Sequence, residues 1–166
     1  IAAALVLWIQ TARPAVLIAD SGGLVGALGP DGRALSTATG DGFVAGIWLE
    51  NDGGPVPQDV AASRPGLIPA PRGATVQMGQ HNITLVRGKT ALGQMQGCGG
   101  ADILISNQKD AGPGPCLVLD VAALRKTGAI ALDLDDAGRL IVTTASQITG
   151  RRPWVETAPV IIAPLE

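Results

Sequence analysis

The apolar positions of this chain occur in short runs that are separated by turn-forming residues. Residues 15–19 and 24–28 are small, branched or apolar, which predicts two strands. The sequence Gly-Pro-Asp-Gly at residues 29–32 predicts a tight turn, because proline presets φ and glycine permits a positive φ. Residues 33–36 would then return antiparallel to residues 24–28 and close a hairpin.

The second half of the chain carries further short apolar or alternating segments. Two of them, at residues 102–106 and 117–120, are continuous apolar runs, which are typical of buried strands. The sequence Asp-Asp-Ala-Gly at residues 135–138 predicts a second hairpin, and this turn explains the local aspartates better than a cation site does. The predicted strands of this half are residues 75–78, 83–86, 90–95, 102–106, 117–120, 129–134 and 139–144.

Two segments have helical spacing instead. Apolar residues at positions 43, 44, 47 and 48 predict a short amphipathic helix over residues 43–50. Residues 121–127 predict one or two helical turns that end at Gly128. Residues 53–73 contain five prolines and are predicted to form a loop. The whole pattern predicts an α+β fold, a β-rich and sandwich-like domain with two or three short helices.

The composition restricts the class of protein further. A length of 166 residues suits one domain, and an aromatic content of 2% means that its core must be aliphatic. The 23 glycines and 12 prolines favour short elements and many turns over a helical bundle. A net charge of −2 provides no general attraction for nucleic acid, so any contact with DNA would have to be local.

The beginning of the chain has a separate character. Residues 1–9 are apolar, and Arg13 and Pro14 end this run, which is too short to span a bilayer by itself. Residues 1–13 are therefore interpreted either as the end of a membrane helix, with Trp8 and Arg13 at the interface, or as an N-terminal extension packed on the domain. Residues 14–166 form the single predicted domain.

The two cysteines, Cys98 and Cys116, are each located near the start of a predicted buried strand. If those strands are neighbours, the two thiols come within reach of a disulfide, which would indicate an oxidising compartment. A metal or redox site is a weaker interpretation, because the sequence lacks Cys-x-x-Cys spacing and a histidine partner. Two free buried thiols remain a further alternative.

Several stretches of the sequence resemble one known family. The stretches are Cys98-Gly-Gly-Ala-Asp-Ile-Leu-Ile-Ser, Gly-Pro-Gly-Pro-Cys116-Leu-Val-Leu-Asp and Gly-Arg-Arg-Pro-Trp154, with further patches at residues 16–19, 29–36, 42–53 and 124–132. In this order they resemble the C-terminal extracytoplasmic region of ComEC-type competence proteins of alphaproteobacteria. The resemblance implies a periplasmic domain of an inner-membrane protein for DNA uptake. Its implied partners are the membrane channel of the same protein, other competence proteins, and single- or double-stranded DNA.

The chain differs from this family in lacking the residues of a metal site. ComEC-type proteins often carry a metallo-β-lactamase-like domain at this position, whose His-x-His-x-Asp-His cluster and later histidines bind metal. This chain has one histidine, His81, and residues 102–106 resemble the family strand that leads into a His-His-Gly motif, but Asn-Gln-Lys follows here. The resemblance therefore implies a reduced fold of this type that is not an enzyme and has no cofactor. A metal-dependent nuclease and a purely structural interaction module remain as alternatives.

The best candidates for a DNA contact are Arg151, Arg152 and Trp154, because two guanidiniums can bind phosphates and an indole can stack on a base. Lys109, Arg125 and Lys126 would extend this patch if the fold brings them together. The alternative is ordinary surface charge with Trp154 packed on the domain.

Overall fold

The computed structural model describes residues 13–109 and 115–150 of the chain, and within them two five-stranded sheets form a sandwich. The predicted α+β, sandwich-like class is confirmed. The first sheet is antiparallel throughout, with the strand order β10-β9-β1-β2-β3. Its strands are β1 (Val16–Ile18), β2 (Val25–Gly29), β3 (Gly32–Leu35), β9 (Ile130–Leu134) and β10 (Leu140–Thr144).

The second sheet is mixed, with the order β4-β5-β6-β7-β8. Its first three strands are antiparallel, whereas β7 runs parallel to β6 and β8 runs parallel to β7. Its strands are β4 (Ile68–Ala70), β5 (Gly73–Met78), β6 (His81–Val86), β7 (Ile103–Ser106) and β8 (Leu117–Leu119).

Five short helices connect or cover these strands in the described part of the chain, where two or three were predicted. The prediction of a strand at residues 90–95 is wrong, since a helix begins at Lys89 there. Two parallel neighbours need a crossover connection, and this helix is the crossover from β6 to β7. The helices are α1 (Gly42–Asn51), α2 (Gln58–Ala62), α3 (Lys89–Gln94), α4 (Val121–Thr127) and α5 (Ala145–Thr149).

The proline-rich segment 53–73 is also more ordered than the predicted loop. It contains α2, which follows Pro57 at the N-cap position, and the strand β4. A proline is tolerated just before the first helical residue because the N–H that it lacks has no partner inside the helix. Pro69 is tolerated in β4 because this strand lies at the edge of its sheet.

The main core lies between the two sheets and is aliphatic, as the composition predicts. Alternate residues of each strand point inward, for example Val16 and Ile18 of β1 against Ile103 and Ile105 of β7, all of which are buried. A smaller core lies on the other face of the first sheet, where Trp48 and its neighbours in α1 and α2 pack on Leu24 and Leu35.

One charged side chain is buried beneath α1. Arg33 of β3 is 0% exposed and forms a two-pronged ion pair with Asp52 at the end of α1. Its Nη1 also donates to the carbonyl oxygen of Gly26 at 3.3 Å, and its Nη2 donates to that of Pro14 at 3.1 Å. Each nitrogen of the cation thus has a hydrogen-bond acceptor in the chain itself.

A disulfide joins Cys98 to Cys116, as predicted, with a Cα–Cα distance of 6.1 Å. It is possible because β7 and β8 are parallel neighbours that begin side by side, with Ile103 opposite Leu117. Disulfides of this kind are typical of proteins in oxidising compartments.

Within residues 13–109 and 115–150, no helix has the length and apolarity required to cross a membrane. The two interpretations of residues 1–13 concern positions that, apart from Arg13, lie outside the described residues.

Candidate functional site: a cationic cleft

The carboxyl ends of β6, β7 and β8 lie at one edge of the second sheet, because these three strands are parallel. Open sheets commonly bind ligands at this edge, where the loops that follow each strand meet. In this chain polar and cationic residues follow two of the strands directly, namely Arg87 to Lys89 after β6 and Asn107 to Lys109 after β7. Helix α4 begins at this edge after β8.

Two adjoining pockets open along this edge, and Asn107 lines both of them. The larger one has a volume of about 690 Å³, and the smaller one has a volume of about 360 Å³. Together they are named the cationic cleft. The lining residues of the larger pocket are Lys89, Leu92, Gly93, Met95, Asn107, Gln108, Lys109 and Val121, and those of the smaller are Pro71, Arg72, Arg87, Gly88 and Asn107.

The charges of the cleft are all of one sign among the described residues. Four cations line it, and no described carboxylate does; the cations are Arg72, Arg87, Lys89 and Lys109. The ion pairs found in residues 13–109 and 115–150 lie elsewhere and involve Asp52 and Asp135. Among the described residues, the positive charge of the cleft therefore has no carboxylate partner, which favours an anionic ligand.

Arg87 is the cation of the cleft that combines a satisfied donor with a buried, unsatisfied one. Its Nη1 donates to Thr37 Oγ1 at 3.0 Å, but its Nε is buried and has no hydrogen-bond partner in the described part of the chain. Arg72 extends β5 directly opposite Arg87, since the N–H of Arg87 donates to the carbonyl oxygen of Arg72 at 2.7 Å. Two arginines thus occupy opposite positions where the β5–β6 ladder continues.

Contacts from the first sheet hold the cleft edge in place. The β1–β2 turn comes so close to β7 that a Cβ at Gly22 would collide with the carbonyl oxygen of Ser106. Gly22 also has a φ of +65°, which only glycine adopts readily. On the other side, the amide of Gln58 donates to the carbonyl oxygens of Thr37 and Gly40 and fixes the loop that reaches Arg87.

Of the DNA contacts predicted from sequence, Lys109 lines the cleft. Arg125 and Lys126 are exposed in the last turn of α4, where their charges complement the helix dipole. No hydrogen bond or ion pair found among the described residues joins these two side chains to Lys109. Arg151, Arg152 and Trp154 lie outside the described residues.

Sequence reasoning missed Arg72, Arg87 and Lys89. The signal for Arg87 and Lys89 was available, because both follow a predicted strand directly, as Lys109 does. What was lacking was the direction of the strands, since only parallel neighbours bring such residues to one edge. Arg72 requires in addition the β5–β6 register, which pairs Gly73 with Val86.

The serine of the cleft edge has a local structural role. Ser106 is 0% exposed at the end of β7, and its hydroxyl accepts a hydrogen bond from the N–H of Gln108 at 3.2 Å. It therefore shapes the turn that presents Lys109.

The opposite end of the sandwich is built from tight hairpins. His81 begins β6 there, with its Nε2 at 3.2 Å from the carbonyl oxygen of Gly138. Asp135 accepts hydrogen bonds from the backbone N–H groups of Arg139 and Ala137, and from the Arg139 side chain. These bonds, the one from the Arg139 backbone first, lower the pKa of Asp135 below its ordinary value. The predicted 135–138 hairpin is confirmed.

No group of three or more histidine, cysteine, aspartate or glutamate residues in the described parts of the chain is arranged to hold a metal ion. The cleft itself is lined by guanidinium, ammonium and amide donors, and such groups suit an anionic ligand. No protein-family model, curated protein or solved structure matches this chain.

Proposed function

We propose that this chain is a non-catalytic extracytoplasmic domain of a ComEC-like inner-membrane channel for DNA uptake. In this proposal its cationic cleft contacts the phosphate backbone of incoming DNA and guides the strand toward the membrane part of the same protein. The domain would lie in the periplasm and act beside other competence proteins.

The observation that carries the proposal is the uncompensated charge of the cleft. Arg72, Arg87, Lys89 and Lys109 line one edge of the sheet, and no described carboxylate lines it with them. Contacts to nucleic acid are made largely by such cations, which bind phosphate oxygens without reading sequence. Because the whole chain has a net charge of −2, a local cluster is the only way in which it could attract DNA.

Two further findings support the proposal. The Cys98–Cys116 disulfide is of the kind that persists in oxidising compartments such as the bacterial periplasm. The stretches that resemble ComEC-type proteins include both cysteines.

The test is the binding of the 166-residue chain to labelled single- and double-stranded DNA over a series of salt concentrations. Binding that weakens as salt rises is expected, and Lys109→Gln should lower the slope of log K against log salt by about 1. The matched control is Arg139→Gln, which removes one cation at the opposite end of the sandwich and should leave the slope unchanged. Arg151→Ala/Arg152→Ala tests the C-terminal pair in the same assay.

Two outcomes would overturn the proposal. If no binding is found at the lowest salt concentration, the domain is better explained as a scaffold for channel assembly. If DNA is cleaved in the presence of Mg²⁺ or Mn²⁺, and a chelator stops the cleavage, the domain is a nuclease and not a passive guide.

A further inference from the structure

The smaller pocket of the cleft combines two features that proteins normally avoid. The first is a like-charged cross-strand pair, since the backbone register places Arg72 opposite Arg87 where the β5–β6 ladder continues. Like charges directly opposite each other on neighbouring strands are destabilising. No ion pair of either arginine with a described carboxylate relieves the repulsion.

The second feature is a buried donor without an acceptor. The Nε of Arg87 is buried, and no acceptor lies within hydrogen-bond distance among the residues that the structure describes. An unsatisfied buried donor costs about 1–3 kcal/mol, and more when the group is charged. Both features would be relieved by one anion between the guanidiniums.

The pocket also has a third donor. Asn107 lines it, and the side-chain oxygen of Asn107 accepts from the N–H of Gly88 at 2.9 Å and from the amide of Gln108 at 3.0 Å. With its oxygen thus engaged, the NH₂ group of Asn107 is the part of the amide that remains to bind a ligand. Two guanidiniums and an amide donor match a tetrahedral oxyanion, which only accepts hydrogen bonds.

We propose that Arg72, Arg87 and Asn107 form a seat for one phosphoryl group. The pocket of about 360 Å³ is large enough for phosphate, and guanidinium forks bind phosphate oxygens in pairs. Because Nε of Arg87 is covered in this structure, the guanidinium has to turn toward the pocket when the anion enters. The identification of the phosphoryl group as part of DNA depends on the proposed function, whereas the seat itself depends on Arg72, Arg87 and Asn107 only.

The direct test is titration of the wild-type chain with inorganic phosphate while the arginine Nε–H signals are followed by NMR. The Arg87 Nε–H signal should shift with a saturable dependence on phosphate and should exchange more slowly with solvent. Equal shifts at Arg139, or no shift at Arg87, would overturn the seat. This measurement uses no variant, so it does not depend on whether a substitution is tolerated.

Variants then test the geometry. Arg87→Lys and Arg72→Lys keep the charge but remove the fork, and each should weaken phosphate binding at least about tenfold, because hydrogen bonds to charged groups contribute about 1.5–3 kcal/mol. Arg139→Lys is the matched control and should bind phosphate as the wild type does. Unchanged affinity in both cleft variants would overturn the proposal.

Competition separates the seat from the proposed function. The competition uses oligonucleotides with and without a 5′-phosphate. If DNA uses this seat, inorganic phosphate displaces them. Tighter binding of the oligonucleotide that carries the 5′-phosphate would place the end of the strand in the seat. If phosphate binds but neither oligonucleotide does, the seat stands and the DNA-guiding function fails. If DNA binds without competition from phosphate and Arg87→Lys has no effect, the function stands and the seat fails.

Discussion

Arg33 and Arg87 are two guanidiniums on different sheets, and the fold treats them in opposite ways. Arg33 lies beneath α1, is fully buried and is satisfied by Asp52 and two backbone carbonyl oxygens. Arg87 lies at the cleft, donates one hydrogen bond to Thr37 and retains a buried Nε–H without a partner in the described residues. Arg33 has its anion built into the chain, whereas no carboxylate in the described part of the chain pairs with Arg87.

This difference between Arg33 and Arg87 distinguishes a charge that stabilises the fold from a charge that is available to bind a ligand. Burying a charge is tolerated where partners from the chain compensate for the lost water, as they do around Arg33. At the cleft the described residues supply a second arginine and no carboxylate, which leaves Arg87 available to an anionic ligand. This contrast is the basis for separating stability from binding by mutation.

The largest effect on stability is expected at the buried ion pair between Arg33 and Asp52. Asp52→Asn should lower the free energy of unfolding by about 3–5 kcal/mol, because it leaves Arg33 buried without a counter-ion. Urea denaturation followed by circular dichroism measures this. Glu50→Gln, an exposed acid on the same helix, is the control and should have little effect. A loss below about 1 kcal/mol in Asp52→Asn would place this pair among ordinary surface ion pairs.

The next effect concerns the half of the molecule that carries the cleft. Cys98→Ser/Cys116→Ser should lower stability by about 3 kcal/mol, because the cross-link no longer restricts the unfolded chain. Hydrogen exchange should show faster opening of β7 and β8, while β2 and β3, which hold Arg33, change less. Equal acceleration in all four strands would mean that the two sheets open only together. Reduction of the wild-type chain should reproduce the effect of the double variant.

A smaller effect is expected at the unsatisfied arginine. Arg87→Gln should change stability by no more than about 1 kcal/mol in phosphate-free buffer, because it removes one hydrogen bond but also an orphaned donor and a like-charge contact. Added phosphate should raise the melting temperature of the wild type but not of this variant, since a ligand stabilises only a protein that binds it. A large loss of stability without phosphate would mean that Arg87 is structural, as Arg33 is.

The smallest effect on stability is expected at the exposed pair of Asp135 and Arg139, at the end of the sandwich opposite to the cleft. The pKa of Asp135 is lowered in the folded chain from its ordinary value of 3.8, so the carboxylate stabilises the fold above that pH. The contribution is lost as the pH falls below 3.8 and through the folded pKa. In Arg139→Gln the pKa of Asp135 should rise only partly, because the two backbone N–H bonds remain. Carbon-13 NMR titration of the carboxyl group measures the pKa of Asp135 in this variant. A full return of the pKa to its ordinary value would mean that the backbone N–H bonds do not lower it.

Local chemistry was sufficient to predict the parts of the fold that depend on neighbouring residues. The turns at 29–32 and 135–138 were predicted because proline, aspartate and glycine act within four residues. The disulfide was predicted because each cysteine lies near the start of a predicted buried strand, on the condition that these strands are neighbours. Residues 90–95 were assigned wrongly because the need for a helical crossover arises from the parallel pairing of β6 with β7, which no local pattern reveals.

The candidate site was only partly predictable for the same reason. Lys109 was identified as a candidate DNA contact, and it does line the cleft. Apart from Asn107 and Gln108, the other lining residues come from the β4–β5 turn, the segment after β6, helix α3 and the start of α4, and their proximity follows from strand direction and register. The two cations that were predicted to extend the patch, Arg125 and Lys126, lie instead in the last turn of α4.

The cross-link between Cys98 and Cys116 has a consequence for the integrity of the chain. A protease that cuts at any peptide bond between these residues leaves both fragments in one covalent molecule. The fragment with Arg72, Arg87 and Lys89 then stays tethered to the fragment with α4 until a reductant acts. Such a nicked molecule migrates as one band on a non-reducing gel and as two on a reducing gel.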